Sequence, residues 1–268
     1  MNLTNKQIRA KARFLLDENI FGKDWLKSVV AHMVMFVIDG GVGSFLASLA
    51  AALVAALGTL IAIYVPGAGL AVFIVTYIIV FALSFMITSG IAGIVNAGIS
   101  SLHLDLVRNN DHISIRRVFD GFKNFGENFV LGLMTALNVL LWTFVFIIPG
   151  IYVSYSYALV FHVKKDHPDF TWRECLDESE RLMEGNRWKL FKLNLSFIGW
   201  AFLSGLLFFG IGMLWITPYM KTSFAIFYEE VKRLKDTNVV SLDPSSKQKV
   251  DPVVITPNNI GISLHKEG

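Results

Sequence analysis

The stretch GGVGSFLASLAAALVAALGTLIAIYVPGAGLAVFIVTYIIVFALSFMITSGIAGIVNAGISSL, from Gly40 to Leu102, contains no Asp, Glu, Lys, Arg or His. It is roughly three times the length of the ~20 apolar residues that cross a bilayer as a helix. Val65-Pro66-Gly67-Ala68 interrupts it, so it reads as two long apolar helices joined by a turn. The rest of the 268-residue chain agrees: 54% of residues are hydrophobic, 17% are charged, and the mean hydropathy is +0.54. Soluble domains carry about a quarter charged residues, so an ordinary cytosolic enzyme is excluded as the expectation. The chain reads as an all-α, polytopic integral membrane protein.

Working outward, six apolar segments lie between charged clusters and Gly/Pro breaks: about 28–60, 69–102, 129–148, 151–163, 190–209 and 211–228. The fourth is short, at about 20 Å of helix, and needs Lys164 and Lys165 to snorkel. The sixth carries Pro218, which predicts a kink. Six Lys/Arg residues precede the first span, four separate the second from the third, seven lie from Lys164 to Lys192, and seven lie at or beyond Lys221. The turns around Pro66, Pro149 and Gly210 to Gly212 are uncharged. The positive-inside rule then places every charged segment, and both termini, in the cytoplasm. The first apolar stretch is of spanning length and follows a long charged segment, so it reads as a retained signal-anchor. The tail 235–268, with Pro244, Pro252, Pro257 and few aromatics, is expected to be a flexible cytoplasmic segment.

Before each odd-numbered span an amphipathic stretch is followed by Gly, two polar residues and an aromatic: Gly22 to Trp25, Gly126 to Phe129, and Gly185 to Trp188. Thr4 with Gln7 and Thr171 with Glu174 fit capping boxes. Ile8, Ala12, Leu15 and Leu16 form one apolar face, and Ile115, Val118, Phe119, Phe122 and Phe125 another. Trp172, Cys175, Leu176, Leu182 and Met183 form the third. The reading is one integral membrane domain, 1–234, in three units (about 1–107, 108–165 and 166–234). Each unit is a cytoplasmic interfacial helix leading into a transmembrane hairpin, with Trp172, Leu176 and Met183 marking the clearest interfacial face.

Candidate chemistry is sparse. Asp39 is the ionisable residue deepest in a span, and His32 lies seven residues earlier on the same helical face. A carboxyl there marks either a partner, proton path or ion site, or a hydrogen-bonded kink at Gly40, Gly41 and Gly43. Ser89, Gly90, Gly93, Ala97 and Gly98 align small residues for close helix packing. Asn96, Asn138 and Asn194 are expected to bond between helices. The single Cys175 excludes an intramolecular disulfide and a Cys-based zinc site. His103-x-Asp105 lacks the further ligands a metal needs, so neither metal nor cofactor is expected. The chain has no Gly-x-Ser-x-Gly, His-Glu-x-x-His or paired-carboxylate arrangement, so no catalytic residue can be named.

Leu141-Trp142, Ile147-Ile148-Pro149-Gly150, Ser154-Tyr155-Ser156-Tyr157-Ala158, Ser179-x-Arg181-Leu182-Met183-x-Gly185-Asn186, Leu195-Ser196-Phe197-Ile198-Gly199-Trp200, Gly210-Ile211-Gly212, Pro218-Tyr219 and Phe227-Tyr228 form a dense pattern. It resembles the uncharacterised integral membrane family of mainly Gram-positive bacteria catalogued as domain of unknown function 975. The pattern is dense from about Leu141 to Glu230 and looser from about Phe14. The resemblance implies a protein of the bacterial plasma membrane with no assigned activity. It is more distantly similar to the membrane domains attached to some glycerophosphodiester phosphodiesterases, which implies a lipid or envelope setting. No functional residues come with it.

The expected function is a non-enzymatic protein organising or assisting a lipid- or protein-linked envelope process. The alternative is a transporter or exporter component, and an intramembrane enzyme comes third. The expected partners are membrane lipids, with anionic headgroups at the cytoplasmic face, or another membrane protein. The basic clusters fit topology and headgroups better than nucleic acid.

Overall fold

The computed structural model describes residues 3–16, 22–65, 67, 69–109, 113–208 and 212–242. The described residues contain helices and no strand. The chain divides into two compact units, Met1–Lys232 and Arg233–Gly268. Helix α1 is Asn5–Leu15, and α2 is Lys23–Phe36, which passes through a π-helical segment, Val37–Gly43, into α3, Ser44–Tyr64. Helix α4 is Gly69–Asn109, and a 3-10 helix, Ile115–Phe122, leads from it to α5, Phe125–Val145. Then come α6 (Ile147–Ser156), α7 (Val160–Asp166), α8 (Trp172–Met183), α9 (Arg187–Phe208) and α10 (Gly212–Leu242). Among the described residues, three stretches are long and apolar enough to cross a membrane: Lys23–Ile61, Leu70–Arg108 and Phe125–Val145.

Helix α4 is the post on which the first unit is built. Its 41 residues make a rod of about 60 Å, twice the ~30 Å hydrocarbon thickness of a bilayer. The two ends have different surroundings. From Leu70 to Phe81 its large apolar side chains are exposed beside equally apolar α3, whereas Ile94, Ile99, Leu102, Leu104 and Leu106 are buried. The turn between α3 and α4 needs Gly67, whose φ of 87° lies in the left-handed region.

The small-residue stripe on α4 is where neighbours come closest. A Cβ built at Gly93 would sit 2.6 Å from the Gly132 Cα on α5 and would run into the Asn128 carbonyl. A Cβ at Gly98 would fall 3.0 Å from the Val118 carbonyl carbon, and one at Gly121 would fall 2.8 Å from the Gly98 nitrogen. Asn128, buried on α5, donates its Nδ2 to the Gly121 carbonyl at 2.7 Å and ties the two crossings together.

Around the charged end of α4 the core resembles that of a soluble protein. The α1 face of Ile8, Ala12 and Leu16 and the α8 face of Cys175, Leu176, Leu182 and Met183 are buried in one cluster with Phe197, Phe227 and Tyr228. Both capping boxes are formed, with Thr4 and Gln7 on α1 and Thr171 and Glu174 on α8. The apolar faces read as interfacial are therefore turned into the protein.

The middle amphipathic stretch differs from the other two. A 3-10 helix repeats every three residues, which separates the five residues expected on one face. Ile115, Val118 and Gly121 align towards α4, while Phe119, Phe122 and Phe125 form a separate exposed aromatic edge. The three recurring glycines also differ: Gly22 is an extended N-cap, Gly126 is helical, and Gly185 has a φ of 78°.

Two boundaries lie away from their expected places. The turn after α5 falls at Phe146, in extended conformation, so Pro149 sits in the first turn of α6, where its missing N–H leaves no gap. The fourth apolar segment is not one helix but two short ones, α6 and α7. Residues 235–242, expected in the tail, continue α10; the remainder of the tail, 243–268, lies outside the described residues, as do the first residues of the expected Gly210 to Gly212 turn.

Because Cβ atoms at Gly93 or Gly132 would meet backbone, Gly93→Leu and Gly132→Leu should each destabilise the protein by at least the ~1–3 kcal/mol typical of overpacking. Thermal unfolding in detergent, followed by light scattering, should show both variants melting well below the parent. Gly126→Ala, with open space around it, should melt with the parent.

Candidate functional site

Asp39 lies in the π-helical segment, half-exposed, and its carboxyl makes no hydrogen bond or ion pair with the described residues. His32 is buried, and its Nδ1 donates to the Ser28 carbonyl at 2.8 Å on its own helix. No hydrogen bond joins Asp39 to His32. Instead, His32 is brought to His103 of α4, with ring centroids 5.4 Å apart.

His103 is fully enclosed, its Nδ1 2.9 Å from the Thr222 hydroxyl of α10. Next along α10, Lys221 donates to the Asn96 Oδ1 of α4 at 3.1 Å. A third buried histidine, His162 of α7, lies 5.3 Å from the Tyr228 ring of α10. Lys221, Thr222, Tyr228, Glu229 and Lys232 follow helical spacing, so α10 turns one polar stripe towards α4 and α7. No group of three or more His, Cys, Asp or Glu among the described residues could hold a metal ion.

The stripe ends at Asp166, the last residue of α7. Arg108 of α4 grips it with two nitrogens at 2.7 and 2.8 Å, the Tyr228 hydroxyl donates at 2.8 Å, and Lys232 adds an ion pair. Arg108 also holds Glu229 at 2.7 Å. Burial works against the ionised carboxylate of Asp166, but the hydrogen bonds from Arg108, Lys232 and Tyr228 outweigh it and hold the carboxyl below the usual carboxylate range. Three helices far apart in sequence thus share one buried anion.

The break between α6 and α7 is closed by α8. The Ser179 hydroxyl donates to the Ser156 carbonyl at 2.8 Å and accepts from the Leu159 N–H at 3.3 Å, so one buried side chain serves two backbone groups that a continuous helix would have paired. Arg187 donates to the Ser156 hydroxyl at 2.8 Å. Gly185 permits the left-handed turn between α8 and α9, and Asn186 caps α8 by donating to the Leu182 carbonyl at 3.0 Å. Of the residues marking the interfacial face, Leu176 and Met183 are buried and Trp172 is half-buried, stacked beneath Arg173. Cys175 is enclosed beside them, and burial pushes its thiol up to about 11.

A groove of about 430 Å³ runs between α4 and α5, open on one side, from Phe85 to Asn96, with Phe161 in its wall. Its hydroxyls are spent within their own helices: Ser89 donates to Phe85 at 2.5 Å, Thr135 to Leu131 and Thr143 to Val139 at 2.7 Å each. The groove is thus effectively apolar. A second pocket, of about 280 Å³, adjoins it through Phe161 and is polar, with Lys123, Lys164, Lys165 and Asp120 in its wall. Of the three asparagines expected to bond between helices, Asn96 and Asn194 do so, Asn194 to the Tyr155 hydroxyl at 3.3 Å. Asn138 bonds only to Met134 of its own helix.

These features define a helical protein with three helices apolar enough to cross a membrane and a buried polar seam at its charged end. More specifically, residues 144–235 match the family described as Protein of unknown function (DUF975), a range that takes in α6 to α9, the Ser179 closure, Asp166 and most of α10. No curated protein and no solved structure matches the chain.

Sequence reading missed Asp166, Arg108 and Lys232, whose importance lies in partners far along the chain. The spacing of polar residues on α10 from Lys221 to Lys232 was the available signal.

Asp166→Asn keeps the shape but leaves Lys232 without its anion and Arg108 with Glu229 alone, and should cost roughly 3 kcal/mol, the scale for breaking one side of a buried ion pair. Since the folded carboxyl is lowered, its contribution is complete above the ordinary carboxylate value and is lost as pH falls towards the lowered one. Melting curves at neutral pH should therefore separate parent from variant, and curves at strongly acid pH should bring them together. Ser179→Ala, which strands the Leu159 N–H and the Ser156 carbonyl, should lower stability by about 1–3 kcal/mol. Hydrogen exchange should rise at Leu159 in that variant and stay unchanged in α3.

Proposed function

We propose that the chain is a non-enzymatic, multi-pass protein of the bacterial plasma membrane, with six spans in three hairpins and both termini in the cytoplasm. It would hold membrane lipid while assisting a lipid- or protein-linked envelope process. The observation that carries this reading is the apolar groove between α4 and α5, open to its surroundings along one side and lined by hydroxyls that are already satisfied. Such a surface has nothing to offer a polar solute and suits a hydrocarbon chain.

The second reading, a transporter or exporter component, draws on the Lys221–Asn96 pair at the inner end of the groove. The buried histidines nearby add to the polar character of that end. Charged and polar groups at membrane depth commonly mark pathways.

Gentle solubilisation followed by lipid mass spectrometry separates the two. Lipid holding predicts phospholipid that survives purification with the parent and is lost from Ala136→Trp, which fills the groove. It also predicts that Asn96→Cys is silent to a water-soluble thiol reagent, whereas a solute pathway makes it react. The native Cys175, enclosed and held as the neutral thiol, should give no background in the folded protein. In intact cells, cysteines placed at the exposed Tyr64 and Ile148 should react from outside, and one placed at Lys123 should not.

A further inference from the structure

The groove and the polar pocket lie side by side, with Phe161 in the wall of both. Along α4 the apolar part runs from Phe85 to Asn96, about 16 Å at 1.5 Å per residue. That is close to one leaflet of hydrocarbon, half of the ~30 Å core. The polar part continues along α4 through Ala97 and Ser101, towards the end where Asp105 and Arg108 lie. A long apolar slot thus lies beside a short charged pocket, an order that matches the chain and the headgroup of a lipid.

Three lysines and one carboxylate, Asp120, line the pocket, and the lysines differ in how far they are already paired. Lys164 is already committed, with 2.7 Å contacts to the Glu127 carboxylate and to the Pro168 and Phe170 carbonyls. Lys165 is not, for its ammonium lies 3.7 Å from Asp105 and 4.0 Å from Asp120, beyond hydrogen-bond distance from both. Lys123 reaches Asp120 at 2.7 Å but is largely solvent-exposed, where such a pair is weak and readily exchanged. Two cations with donors to spare therefore stand at the mouth of the slot, with the side chains of Asn124 and Asn128 beside them.

We infer that this surface is a binding site for a single anionic phospholipid. One acyl chain lies between α4 and α5, and the phosphate is held by Lys123 and Lys165. The inference rests on the lipid-holding reading above and narrows it to a headgroup class and a leaflet, the one on the charged side of the protein. The charge complementarity selects a phosphate without a compensating choline. A zwitterionic headgroup would bring its own cation against Lys123 and Lys165.

The test uses the full chain in phosphatidylcholine vesicles containing a small fraction of spin-labelled phosphatidylglycerol or of spin-labelled phosphatidylcholine. The immobilised spectral component reports lipid held by the protein. The parent should hold labelled phosphatidylglycerol in clear preference. A lysine near an anionic headgroup favours it about five-fold, so Lys123→Gln/Lys165→Gln should reduce the preference by at least ten-fold while still immobilising lipid of both kinds. Lys123→Gln alone, on an exposed side chain that cannot disturb the core, should lose about five-fold and guards against misfolding of the double variant. Arg173→Gln makes the same charge change on exposed α8, away from the pocket, and should leave the preference intact. Equal immobilisation of both labels by the parent, or an equal loss in Arg173→Gln, overturns the headgroup site and leaves lipid holding standing. If neither label is immobilised, both readings fail together.

Discussion

Backbone meets backbone where α4 crosses α5 and the 3-10 helix, and the rest of the first unit is arranged around those two crossings. At Gly93 and Gly132, and again at Gly98 and Gly121, no side chain separates the segments. In a bilayer, helices gain little by hiding apolar surface from lipid, so association depends on close packing and on polar contacts. The crossings supply the first, and the Asn128 amide on the Gly121 carbonyl supplies the second. Their consequence is felt beyond the helices themselves. By drawing α5 and the 3-10 helix onto α4, they set the walls of the groove above and place Lys123 and Asn124 beside it below.

The charged end is held by a different kind of interaction. There Arg108, Asp166, Tyr228, Glu229 and Lys232 close a network across α4, α7 and α10, and Ser179 repairs the break between α6 and α7. A buried break in a helix is tolerated only where other groups satisfy the freed N–H and C=O. Ser179 does this from α8, which explains why an amphipathic helix is packed at this place with its apolar face inward. The matched segment, 144–235, takes in both the break and the residues that mend it. Ser156, Ser179, Gly185 and Asn186 thus have a structural account that requires no ligand.

How far the sequence foretold this depended on the range of each interaction. The caps of α1 and α8, the turn at Gly67 and the packing stripe on α4 involve residues within a few positions of each other, or a single residue type with one use, and all were legible. The split of the fourth apolar segment was not, because its composition is uniformly apolar and the group that stabilises the split lies on another helix. The amphipathic stretch around Val118 misled for a local reason: the same residues fall on one face at 3.6 residues per turn and on two faces at three. Asp39 stood out correctly as an oddity, but prominence in a sequence carries no information about partners, and the polar cluster formed around His32, His103, Lys221 and Asn96 instead.

The division of the first unit into an apolar end and a charged end bears on why a lipid site should fall where it does. The apolar end exposes most of its large side chains, so its surface is stable only against hydrocarbon; the charged end has a core that excludes solvent by itself. Where the two meet, α4 changes from exposed to buried between Met86 and Ile94, and α5 is buried at Leu131 and exposed at Leu141. Beside the contact of Gly93 with Gly132, residues of both helices, from Phe85 to Ala92 and from Thr135 to Thr143, line the groove. An apolar space left empty forfeits the dispersion contacts that its walls would otherwise make. The groove is therefore a consequence of the glycine crossing itself: the same contact that joins α4 to α5 opens the slot beside it, and the 3-10 helix, drawn in by the second crossing, sets lysine at its mouth.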